Sequence, residues 1–189
     1  MTAVTTPRGR LAWALAGLLC HTTVASAQLD EYGVKSAFVY NFLQFTDWPE
    51  SRLGPNEALV VCILTDSPIT PRLNALETRQ VKGHRIEVRT IASASDAPRC
   101  HVVFVPDGTN ARGLALPAAD RNTGLLIIGE DRAADAGDAV INLVVVDQRV
   151  AFDISLDVAA GQGLRLSSKL IRLARHIHGG EATPHGGSR

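Results

Sequence analysis

The sequence predicts a single α/β domain of three layers: a mixed, mostly parallel sheet flanked by helices, with a C-terminal β-hairpin plus helix. Three observations carry this. Unbroken apolar runs of strand length occur at 58–64 (ALVVCIL), 101–105 (HVVFV) and 124–128 (GLLII), the pattern of strands covered on both faces. Segments with helical signals lie between them, as parallel crossovers require. Two β-rich runs, 140–146 and 149–156, are separated only by Asp147-Gln148, the spacing of a hairpin. A chain of 189 residues with 46% hydrophobic content is long enough for one domain with a real core.

Residues 1–27 stand outside that domain. Arg8 and Arg10 form a basic start, 11–19 is a short apolar run, and Ala25-Ser26-Ala27 is a small-residue cleavage site. This is the composition of a secretory signal peptide, too short to read as a spanning helix. Cys20 raises a lipoprotein alternative, but Leu18-Leu19 occupies the place where small residues are wanted. Cleavage after Ala27 leaves a domain over 28–178 and a Gly-rich polar tail over 179–189 that reads as disordered. It also removes two basic residues, so 17 Lys and Arg face 19 Asp and Glu. No basic run remains, which argues against nucleic acid as a partner.

The aromatic residues concentrate in 31–49, EYGVKSAFVYNFLQFTDWP. It holds three of the five Phe, both Tyr and Trp48. Asp30 is a suitable N-cap, and Pro49 ends the helix by constraining Trp48. Val34, Ala37, Phe38, Phe42 and Phe45 form one apolar stripe. Tyr32, Val39, Tyr40 and Leu43 form a second on another side. A helix on one core needs a single stripe. Either this helix sinks between two layers, or Tyr32, Val39, Tyr40 and Leu43 meet a second protein or a second copy.

After the turn at 51–56 comes the first buried strand. A helix follows to about Arg79, with Asp66 or Ser67 as its cap. The alternating run 85–91 reads as a more exposed strand, nearer an edge. A small-residue loop at 92–99 leads to the second buried strand. A weak helix at 111–119 precedes the third, and 129–137 is a short acidic connection. The hairpin leads into a short helix at 156–162, stopped at Gly163. A last helix at 169–177 is capped by Ser167-Ser168, with Leu170, Leu173, Ala174 and Ile177 on one face.

Little of this resembles an active site. Cys100 and His101 are neighbours on a strand and point to opposite faces, so they make no thiolate–imidazole pair. His176 and His178, at i and i+2 of a helix, do not share a face, and with His185 they read as a solvated tail rather than a metal site. Glu130, Asp131, Asp135 and Asp138 read as a solvated loop. Gly161-Gln162-Gly163 is no dinucleotide fingerprint. No catalytic residue, metal site or cofactor is expected. With Cys20 removed, Cys62 and Cys100 remain; in an exported chain two cysteines suggest a disulfide, the alternatives being two buried thiols or a metal site.

Three blocks together resemble the YfiR family of exported bacterial proteins. The first is 31–49, with Phe38, Asn41, Phe42, Phe45, Trp48 and Pro49. The second is the pair of strands around Cys62 and Cys100. The third is VAFDISLDVAAGQGLRLSSKLIRLA, with Phe152, Ile154, Gly163, Leu164, Ser167, Ser168, Leu170 and Ala174. The sequence departs from relatives at Gly137-Asp138-Ala139-Val140 and at Ser155, and lacks a second cysteine pair near the hairpin. The resemblance implies a periplasmic, non-enzymatic regulator. It implies an inner-membrane diguanylate cyclase held down through its periplasmic domain, an outer-membrane lipoprotein that draws the regulator away, and a homodimer. The other reading is a periplasmic small-ligand-binding protein serving a sensor kinase or transporter, with its site near Asp66 and Pro106-Asp107 at the carboxyl ends of the strands.

Overall fold

The computed structural model describes residues 24–109, 123–130 and 139–180, with side chains from residue 31 onward. The expected helix at 111–119, most of the acidic connection, nearly all of the signal segment and most of the tail lie outside these residues. The elements run α1 (Val24–Gln44), β1 (Thr46–Asp47), β2 (Leu59–Leu64), α2 (Thr70–Asn74), β3 (Gln80–Val81), β4 (His84–Ile91), β5 (Val102–Val105), β6 (Leu126–Glu130), β7 (Ile141–Val146), β8 (Arg149–Ser155), α3 (Leu156–Gly161), β9 (Arg165–Leu166), α4 (Ser168–Ile171) and β10 (His176–His178).

Eight strands form one sheet in the order β10-β8-β7-β6-β5-β2-β4-β3, and β1 pairs with β9 in a separate two-stranded ribbon. Only the β7–β8 and β3–β4 pairings in the large sheet are antiparallel, so it is mixed and mostly parallel. The three apolar runs become β2, β5 and β6, side by side at its centre, and every residue of each is buried. Period-two alternation sends their side chains into two cores. Val61, Ile63, Val102, Phe104, Leu126 and Ile128 join Val39, Phe42 and Leu43 of α1 on one face. Val60, Cys62, Leu64, Val103, Val105 and Ile127 join Ala97 and Cys100 on the other. The alternating strand is β4, separated from the edge only by the two residues of β3.

Several boundaries differ from the sequence expectation. Helix α1 passes through Asp30 rather than starting there, and ends at Gln44 before Trp48-Pro49. The helix expected after β2 is broken into α2 and a 3-10 turn at Ala75–Thr78; its N-cap is Ile69, with Pro71 in the first turn, not Asp66 or Ser67. The loop at 92–99 contains a 3-10 turn, Ala94–Arg99, capped by the Ser93 side chain. The hairpin does turn on Asp147-Gln148, both at positive φ (49° and 61°) without glycine.

The largest correction is at the end of the described chain. The last helix stops at Ile171, and His176–His178 is an edge strand parallel to β8. Leu173 and Ile177, expected on a buried helix face, are exposed. The edge of β8 supplies the reason. The Arg175 N–H donates to the Phe152 carbonyl at 2.8 Å, and its guanidinium grips Asp153 with bonds of 2.9 and 2.6 Å, turning the chain into ladder register.

Candidate functional site

The phase of α1 decides which side chains are available to a partner. Its buried positions are Lys35, Ser36, Val39, Phe42 and Leu43, followed by Thr46 just past its end: the i, i+3, i+4, i+7 spacing of one helix face. Its exposed line is Val34, Ala37 and Asn41. Both expected stripes are therefore rotated from where hydrophobicity alone put them. Val39 and Leu43 have no exposed surface and cannot contact a second protein; they belong to the domain's own core. Tyr32 and Tyr40 are half-buried and pack against that core. The Tyr40 hydroxyl donates to the Gln80 carbonyl at 3.1 Å, and the Arg79 guanidinium lies 5.0 Å from its ring. Among the described side chains of α1, the apolar surface left to solvent is Val34 and Ala37, bordered by half-buried Phe38.

The rotation follows from two polar residues in the buried line. Ser36 donates to the Arg72 carbonyl at the end of α2, at 3.0 Å. Lys35, almost without exposed surface, forms ion pairs with Glu130 at 2.5 Å and with Glu31, one turn earlier, at 2.6 Å. Burial disfavours the Lys35 charge. Its hydrogen bonds and charge contacts with the two carboxylates outweigh that and raise its pKa above the ordinary 10.5. Glu130 is the last residue of β6 and is itself buried, not part of a solvated loop. Its second oxygen accepts the Asp107 backbone N–H at 3.2 Å, beyond the end of β5. The pair therefore clamps the amino-terminal half of α1 onto the carboxyl ends of β5 and β6. Sequence reasoning missed it, although Lys35 sits four residues before Val39, in phase with Phe42 and Leu43. Asp131, Asp135 and Asp138 lie outside the described residues.

This end of the sheet is also where the strand order reverses. From β2 the chain passes to β4 on one side, then returns to β5 on the other. Such a switch point opens a crevice at the carboxyl ends of the strands. Thr65, immediately after β2, holds a left-handed φ of 64°, unusual for a β-branched residue. Asp66, next to it in sequence, is exposed; beyond the end of β5, Pro106 is buried and Asp107 is exposed.

The other end of the sheet is braced by backbone hydrogen bonds. His101 is buried; its Nδ1 accepts the Val60 N–H at 3.0 Å, which leaves Nε2 to donate to the Arg52 carbonyl at 3.0 Å. Burial lowers the pKa of this neutral imidazole below 6.5 and outweighs the hydrogen bond to the Arg52 carbonyl, which raises it; the Arg52 charge lowers it further, with smaller effects from Glu57, which raises it, and His84, which lowers it. Burial likewise lowers the Arg52 pKa, and its guanidinium donates to the carbonyls of Pro98 and Cys100. Cys62 and Cys100 form a disulfide with Cα atoms 5.9 Å apart, which removes any nucleophilic thiol.

The three sequence blocks converge in space. Phe38 and Phe42 pack tilted and edge-on against Phe152 of β8, with ring centroids 5.6 and 4.9 Å apart. The Phe45 carbonyl accepts the Ser167 N–H at 2.9 Å, and Thr46–Asp47 pairs with Arg165–Leu166. Ser167 caps α4, with its hydroxyl accepting the Lys169 N–H, and Leu164 and Leu170 are buried. Gly163, at φ 72°, ends α3 in a Schellman turn: the N–H groups of Leu164 and Gly163 donate to Ala159 and Ala160. Trp48 Nε1 donates to the His101 carbonyl at 3.4 Å, and the Pro49 carbonyl receives Arg52 and Leu53. Asn41 and Ser168 are exposed. Apart from exposed Asn41 and Ser168, these positions fasten α1 to β8, β9 and α4.

A mixed, mostly parallel sheet with a helix packed against its C-terminal hairpin defines the class of domain. The YfiR/HmsC-like family matches residues 32–175, and the chain belongs to that family. No curated protein matches the chain. Among solved structures, the ABC domain in complex with L-Trp from Streptococcus pneumonia aligns with a TM-score of 0.45 and 13% identity, over 68% of this chain and 59% of that one. A conserved domain protein from Vibrio cholerae O1 biovar eltor aligns with a TM-score of 0.47 and 8% identity, over 77% of this chain and 60% of that one. The chain spans about three fifths of each, and both likenesses are too remote to bear on function.

Proposed function

We propose that the chain is an exported, non-catalytic regulator, cleaved after Ala27, that binds the periplasmic domain of an inner-membrane diguanylate cyclase and favours its inactive state. The family match over 32–175 carries this reading, because it spans nearly the whole described domain, α1 included. Repression requires only differential affinity for the two states of the receptor, with no chemistry. The contact surface we assign on α1 is Val34 and Ala37 with the exposed edge of Phe38, and half-buried Tyr32 at its margin. Ala37→Asp is expected to leave the fold intact and weaken binding to the periplasmic domain of the cyclase, measured by calorimetry with purified components. Unchanged affinity for that variant would remove α1 from the interface. Failure of every membrane cyclase domain from the same cell to bind the wild-type chain would remove the cyclase as partner.

A second reading is supported by one observation, the reversal of strand order between β2 and β5 beside Thr65, Asp66 and Asp107. It makes the chain a small-ligand-binding protein serving a sensor kinase or transporter. A true ligand raises the melting temperature progressively with its concentration. A screen of periplasmic solutes with no such rise counts against it.

A further inference from the structure

We propose that His176 and His178 form a two-imidazole site for a divalent transition-metal ion of the copper, nickel and zinc class. On a helix these two positions would diverge. The structure places them on β10, an extended strand. Residues i and i+2 of a strand point to the same face, with Cα atoms roughly 6–7 Å apart. Two imidazoles at that separation reach one ion through bonds of about 2 Å. Both residues are exposed, and β10 is the outermost strand, so an ion approaches without displacing other structure.

The neighbouring strands place polar groups beside the pair. In the parallel ladder Asp153 lies next to His176 and Ser155 next to His178, on the same face of the sheet. Asn142 continues the first row on β7, and its buried Oδ1 has no hydrogen-bond partner. Arg175 holds the Asp153 carboxylate through two hydrogen bonds. Among the described residues no set of three or more His, Cys, Asp or Glu side chains is gathered for a metal. The site is thus a surface pair, with its remaining positions taken by water. Such a site follows the usual order, copper above nickel and zinc.

The test uses the full chain purified without a polyhistidine tag. Cu2+ is titrated by calorimetry, and the complex is read by electron paramagnetic resonance. The expected result is one ion per chain with hyperfine coupling to two nitrogens. His176→Ala and His178→Ala should each weaken binding by at least the roughly 10- to 100-fold that loss of a mere outer-sphere partner produces. His185→Ala should leave it unchanged. Because both ligands are exposed, the variants should melt like the wild type. The proposal is overturned if the His176→Ala/His178→Ala chain binds as well as the wild type, if one imidazole suffices, or if loss follows His185 alone.

Discussion

Lys35 and Glu130 are 95 residues apart in sequence, and each is nearly sealed from water by the other's side of the fold. Lys35→Met leaves the Glu130 carboxylate buried without its cation and should cost about 3–5 kcal/mol in denaturant unfolding. Lys35→Met combined with Glu130→Leu should recover most of that loss, because two apolar groups need no partner. If the double variant is no more stable than the single, the pair is not what holds this end of α1. The raised Lys35 pKa places its contribution fully below pH 10.5, lost only as pH rises through the folded value. His101 has the opposite sign. Its folded pKa is depressed, so its contribution is complete above pH 6.5 and lost as pH falls through the folded value. The melting temperature should therefore decline on acidification below pH 6.5, and His101→Asn should flatten that decline while lowering stability at neutral pH. A variant as acid-sensitive as the wild type would assign the effect to other groups. Neither residue's role was legible in the sequence. Lys35 lay in a run rich in aromatics, and Glu130 looked like the first of several loop acids. The contact that buries both is tertiary, and no local pattern encodes it.

At the level of elements, the apolar runs that became β2, β5 and β6 could be read directly, because a strand covered on both faces has no alternation to hide. The hairpin was legible from its two-residue loop. The phase of α1 was not: a helix with apolar groups almost all round gives no unique moment, and the phase was set by Lys35 and Ser36 finding buried partners. Leu43→Asp should accordingly unfold the domain, where Ala37→Asp should not; circular dichroism separates the two. Strand β10 is hidden in the sequence because Ile177 continues the helical spacing of Leu170, Leu173 and Ala174, while the free edge of β8 and the Arg175–Asp153 pair favour extension. Asp147 and Gln148 hold left-handed conformations that glycine adopts without strain. Gln148→Gly should stabilise the hairpin by about 1 kcal/mol, the low end of the cost of a left-handed non-glycine residue, and a lowered denaturation midpoint would contradict the assigned turn. The disulfide closes a separation of 38 residues, for which the chain-entropy model gives about 4 kcal/mol. Replacing both Cys62 and Cys100 by Ala should lower stability by that order, seen as a shift in the denaturation midpoint without loss of the fold.

For the whole molecule, the order of strands was only partly foreseeable. Alternating strands and helices imply a mostly parallel sheet, but the return from β4 across β2 to β5, and the addition of β10 outside the hairpin, depend on pairings between distant segments. The three blocks that resemble the family were readable separately as helix, strands and helix cap. Their convergence at Phe38, Phe42 and Phe152, and at Thr46–Asp47 with Arg165–Leu166, explains why they occur together: they fasten one helix to the C-terminal part of the domain. Among its described side chains, what that helix offers outward is a short apolar line through Val34 and Ala37. The central claim is that this domain restrains a membrane diguanylate cyclase, and cellular cyclic-di-GMP reads it most directly. Deleting the gene should raise the level, the wild-type chain should restore it, and the Ala37→Asp chain, exported and folded, should fail to. A level unchanged by the deletion would contradict the claim.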